Sequence, residues 1–200
     1  ETDKNILEGK SEKEFTDNAV SILKKIKDAG FNTIYVHVRP YNDAYYKSKI
    51  FPRADYYSDE MNYDPLEIII SEGHKAKLSV HSWINPLRCQ TDAQLKELDN
   101  KYIIKQWYDD NSKNGTYIIK INDRWYLNPA YEEVRNYVAD GVREIAENYN
   151  IDGIHIDDYF YPTQEESFDT AAFKESGNSD LKQWRTENIC LLYTSPSPRD

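Results

Sequence analysis

The sequence predicts an α/β chain, a partial (β/α)8 TIM barrel with about three parallel strands and their helices. Three observations carry that reading. Helical and strand periodicities alternate along the chain. Every helix-to-strand turn is short, whereas every strand-to-helix connection is long. The third strand runs directly into two carboxylates, in residues 151–162 (IDGIHIDDYFYP). Right-handed βαβ crossovers make such strands parallel neighbours, and the loops leaving their C-terminal ends build the face where barrels place their sites. Burying an ionised group is expensive, so acids at the end of an apolar strand point to chemistry.

The first unit opens with a capping box, Ser11 and Glu14. Phe15, Ala19, Ile22, Leu23 and Ile26 then recur at helical spacing, and Gly30 supplies the stop. Residues 31–38 read as the first strand. Asp64-Pro65 opens the second helix, with proline at its first position and Leu66, Ile69 and Ile70 on its apolar face. Residues 78–84 form the second strand. Asn128-Pro129 opens the third helix, striped by Val134, Val138, Val142, Ile145 and Tyr149, and residues 151–156 form the third strand. The long connections are 39–63, 85–128 and the residues after Asp157. Within the second, 116–121 and 124–127 read as a hairpin turning at Asn122-Asp123. Long loops in compact domains are usually functional.

Both ends read as cut, because three βα repeats cannot close a barrel, which needs roughly 250 residues. Residues 1–189 are expected to be the barrel domain. Residues 190–200 change character at Cys190 and read as a foreign vector-like tail or a disordered Ser/Pro tail. The net charge of −10 argues against a nucleic-acid partner, which needs a basic patch. Two cysteines imply no disulfide framework, and no apolar run is long enough to span a membrane. The chain begins at Glu1 rather than Met, so the lack of a leader gives no cytoplasmic address. Seventeen tyrosines and four tryptophans suit a wet, sugar-binding surface or simply a tyrosine-rich composition.

Side chains alternate across a strand. Tyr35, His37 and Arg39 therefore share one face, as do Ser79, His81, Trp83 and Asn85, and Gly153, His155 and Asp157. In a barrel these polar sides point inward, either to line a site or to form a hydrogen-bonded core. Asp157 is the leading catalytic candidate. Asp158, adjacent, points the other way while the strand lasts, so the two cannot easily oppose each other across a bond. Glycosidases use carboxyl pairs about 5–5.5 Å apart for retention and about 6.5–9.5 Å for inversion. Asp43 in the first long loop is a candidate partner, as is a residue outside this chain. His37, His81 and His155 with Asp157 also permit a metal-hydrolase reading, weakly, since no tight ligand motif occurs. Arg39 and Arg88 fit either clamps for an anionic substituent or partners of a carboxylate. Trp83, Trp107, Trp125, Tyr159 and Tyr161 fit sugar platforms or ordinary packing.

Five ordered motifs carry a resemblance. They are residues 31–40 (FNTIYVHVRP) with Asp43, Ala44 and Tyr46; residues 64–66 (DPL); residues 81–86 (HSWINP) with Arg88; residues 127–129 (LNP) with Glu133 and Arg135; and residues 152–162. Together they resemble the glycosyl hydrolase-like family 10 domain, from about Glu14 to Ile189, with residues 180–189 similar to that family's next helix. The resemblance implies a (β/α)8 barrel whose other strands lie outside this chain. It also implies an exported or cell-envelope glycosidase acting on a polysaccharide or oligosaccharide, bacterial cell-wall glycan being one candidate, and needing no cofactor. The motif residues at the barrel mouth would be Arg39, Asp43, His81, Trp83, Asn85, Arg88, His155, Asp157, Asp158 and Tyr159. The alternatives are a non-catalytic glycan-binding barrel and a metal-dependent carbohydrate hydrolase or deacetylase. The segment alone is expected to be inactive.

Overall fold

The computed structural model describes residues 2–158 and 160–194. In chain order the elements are α1 (Thr2–Leu7), α2 (Glu12–Asp28), β1 (Thr33–Arg39), α3 (Pro65–Lys75), β2 (Ser79–Ile84), β3 (Arg88–Thr91), α4 (Asp92–Glu97), α5 (Ile103–Asp109), β4 (Ile118–Ile121), β5 (Arg124–Leu127), α6 (Glu132–Asn148), β6 (Gly153–Ile156), α7 (Thr170–Ser176) and α8 (Leu181–Tyr193). They gather into two compact units. One holds the residues up to Ile84 together with Ile145–Ile156, and the other holds Asn85–Glu144 with the residues from Asp157 on.

The first unit contains the expected parallel sheet, in the order β1-β2-β6. Its helices form where the sequence places them. Ser11 caps α2 in a complete capping box with Glu14, and Phe15, Ala19 and Leu23 are buried along one side of that helix. Asp64 Oδ1 accepts the Leu66 and Glu67 amides at the start of α3, while Oδ2 accepts the Lys47 amide at 2.9 Å and the Tyr149 hydroxyl at 2.7 Å. Asp64 is thus buried with both oxygens occupied, the condition under which a buried carboxylate is tolerable. A Cβ added to Gly73 would stand 2.6 Å from Val80 Cγ2, so glycine is what lets α3 lie this close to β2. Val80 and Ile84 are fully buried on this helix-facing side.

The first long connection is ordered by its own hydrogen bonds. Ala44 pairs with Arg53 in an isolated bridge, Ser48 Oγ accepts the Ile50 and Phe51 amides, and Arg53 donates to the Ser58 and Met61 carbonyls. Leu7, Phe15, Tyr57, Met61 and Tyr63 form a buried cluster that ties the loop to the helices.

The second unit is built on an antiparallel sheet in the order β3-β5-β4. The expected hairpin is present, with Asn122 in the left-handed region at its turn. Its first strand begins at Ile118 rather than Thr116, because residues 113–117 close turns instead: the Tyr117 amide and the Thr116 hydroxyl both donate to the Lys113 carbonyl. The third helix likewise begins at Glu132, not at Pro129. The Asn128 side chain accepts the Ala130 amide, and Arg135 donates to the Pro129 and Ala130 carbonyls, which holds the intervening residues in a turn. The short strand β3 was not expected. It joins the hairpin and leads into α4 through a second capping box, Thr91 with Gln94.

After Asp157 the chain is pinned by Arg185 on α8. Its guanidinium makes a two-point bond to Asp169 (2.9 and 2.7 Å), donates to the Glu165 carbonyl at 2.8 Å, and lies over the Tyr161 ring. The Asp169 side chain has no exposed surface, and a bidentate guanidinium suits such a site. α8 runs past Cys190 to Tyr193 with Leu192 buried, so the change in composition at Cys190 falls inside a helix. Both cysteines are free thiols. Among the described residues no helix is long and apolar enough to cross a membrane.

Candidate active site

Register decides which predicted residues meet. Tyr35 pairs with His81 and His81 with Gly153; His37 pairs with Trp83 and Trp83 with His155. Alternation then stacks two layers on one face of the parallel sheet, as it does inside a barrel. The rings touch accordingly. His37 stacks on Trp83 with centroids 4.1 Å apart and planes 12° apart. Trp83 meets His155 edge-on at 5.9 Å, and Tyr35 lies 5.3 Å from His81 and 4.7 Å from His155. His81 Nε2 and Ser79 Oγ share a hydrogen bond of 3.2 Å. His81, Trp83 and His155, three of the predicted substrate-binding residues, are therefore brought together with His37. Tyr35 completes the cluster and is 55% exposed. It shares the face that alternation identified, but its aromatic character alone did not mark it as a site residue.

Gly153 is a further residue that sequence reasoning passed over. A Cβ there would stand 2.5 Å from His81 Nδ1 and 2.7 Å from its Cε1. The His81 ring thus lies over the bare backbone of β6, and the motif needs glycine between Asp152 and Ile154 for that reason. The pairing seen here also shapes the metal reading. The imidazoles are engaged with aromatic neighbours and Ser79, and among the described residues no group of three His, Cys, Asp or Glu side chains could hold a metal ion.

Arg39 takes a different place from the one alternation gives it. The β1–β2 register shifts between His37 and Arg39, so Arg39 pairs with Ile84 instead of continuing the polar layer. Its guanidinium packs on the Phe51 ring at 4.3 Å, and the side chain is fully buried within the first unit. Asp43 is also buried, 6% exposed. Its Oδ1 accepts the Tyr41 amide at 2.8 Å. Burial, the largest cause, pushes its carboxyl up to about 7; the Tyr41 amide pulls it back, the nearby Asp55 charge adds to the rise, and its own amide and Arg39 oppose it more weakly. Asp43 therefore titrates near neutral pH, well above an ordinary carboxyl.

In the second unit Asn85 follows β2 directly and is buried. Arg88 opens β3 and donates from Nη2 to Asp158 Oδ1 at 2.9 Å, the carboxylate pairing that was one of its two foreseen uses. Asp157 follows β6 by one peptide bond, and its Oδ1 accepts the Asp158 amide at 2.7 Å. Asp158 has φ 102°, a left-handed backbone for a non-glycine residue. Tyr159 lies outside the described residues. Trp107 and Trp125, foreseen as sugar platforms or packing aromatics, are both buried, Trp107 against Tyr117 and Tyr137 and Trp125 against Tyr108.

The sequence profile described as glycosyl hydrolase-like 10 matches residues 7–196. The chain belongs to the glycosyl hydrolase-like 10 family. Among this family's curated relatives, glycosyl hydrolase YngK of Bacillus subtilis (strain 168) is 29% identical over 195 residues, covering 92% of this chain and 37% of YngK. Glycosyl hydrolase DigH of Escherichia coli (strain K12) is 29% identical over 186 residues, covering 88% of this chain and 42% of DigH. The chain thus spans well under half the length of these relatives. Among solved structures, a hypothetical protein from Ruminiclostridium thermocellum ATCC 27405 superposes with a TM-score of 0.59 at 13% identity, over 90% of this chain and 87% of the other. Alpha-L-fucosidase isoenzyme 2 from Paenibacillus thiaminolyticus gives 0.54 at 13% identity, over 88% of this chain and 25% of the fucosidase. At that identity the two structures speak for the fold alone.

Proposed function

We propose that the full-length protein hydrolyses glycosidic bonds in a polysaccharide, bacterial cell-wall glycan being the first substrate to test, at the cell envelope or outside the cell. Membership of the glycosyl hydrolase-like 10 family carries this reading. The placement of Asp157 one residue beyond the C-terminal end of β6, on the strand that delivers His155 to the aromatic layer, supports it. Asp157 serves as the carboxylate that attacks the sugar or activates water. Within the first unit, Trp83, His81 and His155 present an aromatic face that suits a sugar ring. Hydrolysis consumes one water and leaves a new reducing end.

The test measures reducing ends released from purified peptidoglycan and from a panel of soluble polysaccharides by the full-length protein and its D157N variant. The reading expects turnover of at least one glycan, loss of that turnover in D157N, and retained binding. A D157N variant that turns over glycan as the wild type does would remove Asp157 from the mechanism. Binding without turnover in either protein would make this a glycan-binding barrel.

A further inference from the structure

Asp157 and Asp158 are adjacent, identical in chemistry, and differently engaged. Asp158 sits in the left-handed region at φ 102°, where an L side chain is strained. Such backbone persists only where the surroundings hold it. Here a specific anchor is present: Arg88 Nη2 to Asp158 Oδ1 at 2.9 Å, with the two side chains only 25% and 10% exposed. Shielding from solvent makes such a pair stronger than an open surface pair. Arg88 is itself fixed, because it pairs with Tyr126 on β5, and the Leu127 amide donates to the Leu87 carbonyl next to it. Within the second unit, the antiparallel sheet therefore holds the turn at residues 157–158. The strained residue then donates its amide to Asp157 Oδ1 at 2.7 Å. One oxygen of Asp157 is thereby tied to the turn, which fixes the direction of the carboxylate.

We infer that Arg88 and Asp158 form a positioning pair that holds the Asp157 carboxylate in its reactive orientation, rather than a substrate clamp and a second catalytic acid. The inference deepens the proposed hydrolysis and rests on Asp157 acting in it. Arg88 gives Nη2 to Asp158 Oδ1. Asp158 spends its carboxylate on Arg88 and its amide on Asp157. A small misplacement of a reacting group costs one to two orders of magnitude in rate, so loss of the pair acts on the chemical step.

The experiment compares R88Q, R88K, D158N, D158G and the R88Q/D158N double variant in the full-length protein, with initial rates on soluble peptidoglycan fragments followed by new reducing ends. R88Q and D158N are each expected to lower kcat by about tenfold or more, with KM within about twofold of the wild type. The double variant should be no slower than the slower single, and R88K should recover part of the loss. D158G tolerates the left-handed backbone without the carboxylate. Relief of backbone strain offsets part of the lost ion pair, so D158G should melt closer to the wild type than D158N does and still lose kcat, which separates positioning from folding. The inference is overturned if R88Q raises KM while kcat holds, if the single effects multiply in the double variant, or if D158G keeps full kcat. A D157N variant with normal turnover instead overturns the underlying assignment of Asp157. A D157N variant without turnover, combined with an R88Q effect confined to KM, sinks only the pair.

Discussion

Gly153→Ala is the most informative single substitution in the parallel sheet, because its sign depends on one neighbour. The new Cβ would fall 2.5 Å from His81 Nδ1 and 2.7 Å from Cε1. The imidazole can yield only by giving up its bond to Ser79 and its packing against Tyr35. Forcing extra volume into a packed contact costs about 1–3 kcal/mol. Alanine recovers about 0.5–1 kcal/mol over glycine inside a strand. The net expectation is a loss of about 1–2 kcal/mol. The three atoms nearest the added Cβ all belong to His81, and the third stands at an ordinary 3.4 Å. In a His81→Ala background the clash disappears, and the same G153A change should stabilise by about 0.5–1 kcal/mol. Equilibrium urea unfolding followed by tryptophan fluorescence measures both legs of the cycle, with Trp83 as a reporter near the site. The reasoning is refuted if G153A has the same sign and size in both backgrounds, since the strain would then not come from the imidazole.

Burial raises the Asp43 carboxyl to about 7, so the folded chain binds a proton there that the unfolded chain releases near 4. That contribution to stability is full below the unfolded value and is lost as pH rises toward and through 7; D43N should flatten this part of a pH–stability curve, read by thermal melting across pH 4–8. Asp152 behaves in the opposite sense. Its carboxyl is held low first by the Val80 amide and then by His74, so its contribution is present above the unfolded value and lost as pH falls through the folded one, and D152A should remove part of the acid limb of the same curve. Ser11→Ala breaks the capping box of α2 and should cost about 1 kcal/mol in urea, while Ser11→Asp should cost little. Gly73→Ala should destabilise despite better helix propensity, and Val80→Ala should cost less in that background than alone, because Val80 Cγ2 is the atom in the way.

What the sequence made legible was local. The Ser11–Glu14 box, Asp64-Pro65, and the apolar spacing of α2 and α3 act within a few residues, and each element stands within a residue or two of its expected start. The hairpin was readable from Asn122-Asp123 for the same reason. The face shared by His37, His81, Trp83 and His155 was readable because strand alternation is strict where the register is regular. It failed at Arg39, where the register shifts, and an irregularity of that kind leaves no mark in residue types. β3 was missed because Arg-Cys-Gln-Thr has no alternating pattern and takes its conformation from β5. The Arg88–Asp158 pair joins residues 70 apart in sequence, and composition shows only that each has a complementary charge somewhere.

The candidate carboxyls divide by environment rather than by residue type. Asp43, Asp157 and Asp158 are the same side chain, yet burial makes the first titrate near neutral pH, a strand end and a neighbouring amide fix the second, and a shielded guanidinium engages the third. Glycoside hydrolysis asks for two carboxyl groups in different protonation states. Environments that push such groups apart are how one residue type fills both roles. Under the proposed reaction, Asp158 is engaged by Arg88 and Asp157 is the carboxylate that the turn directs.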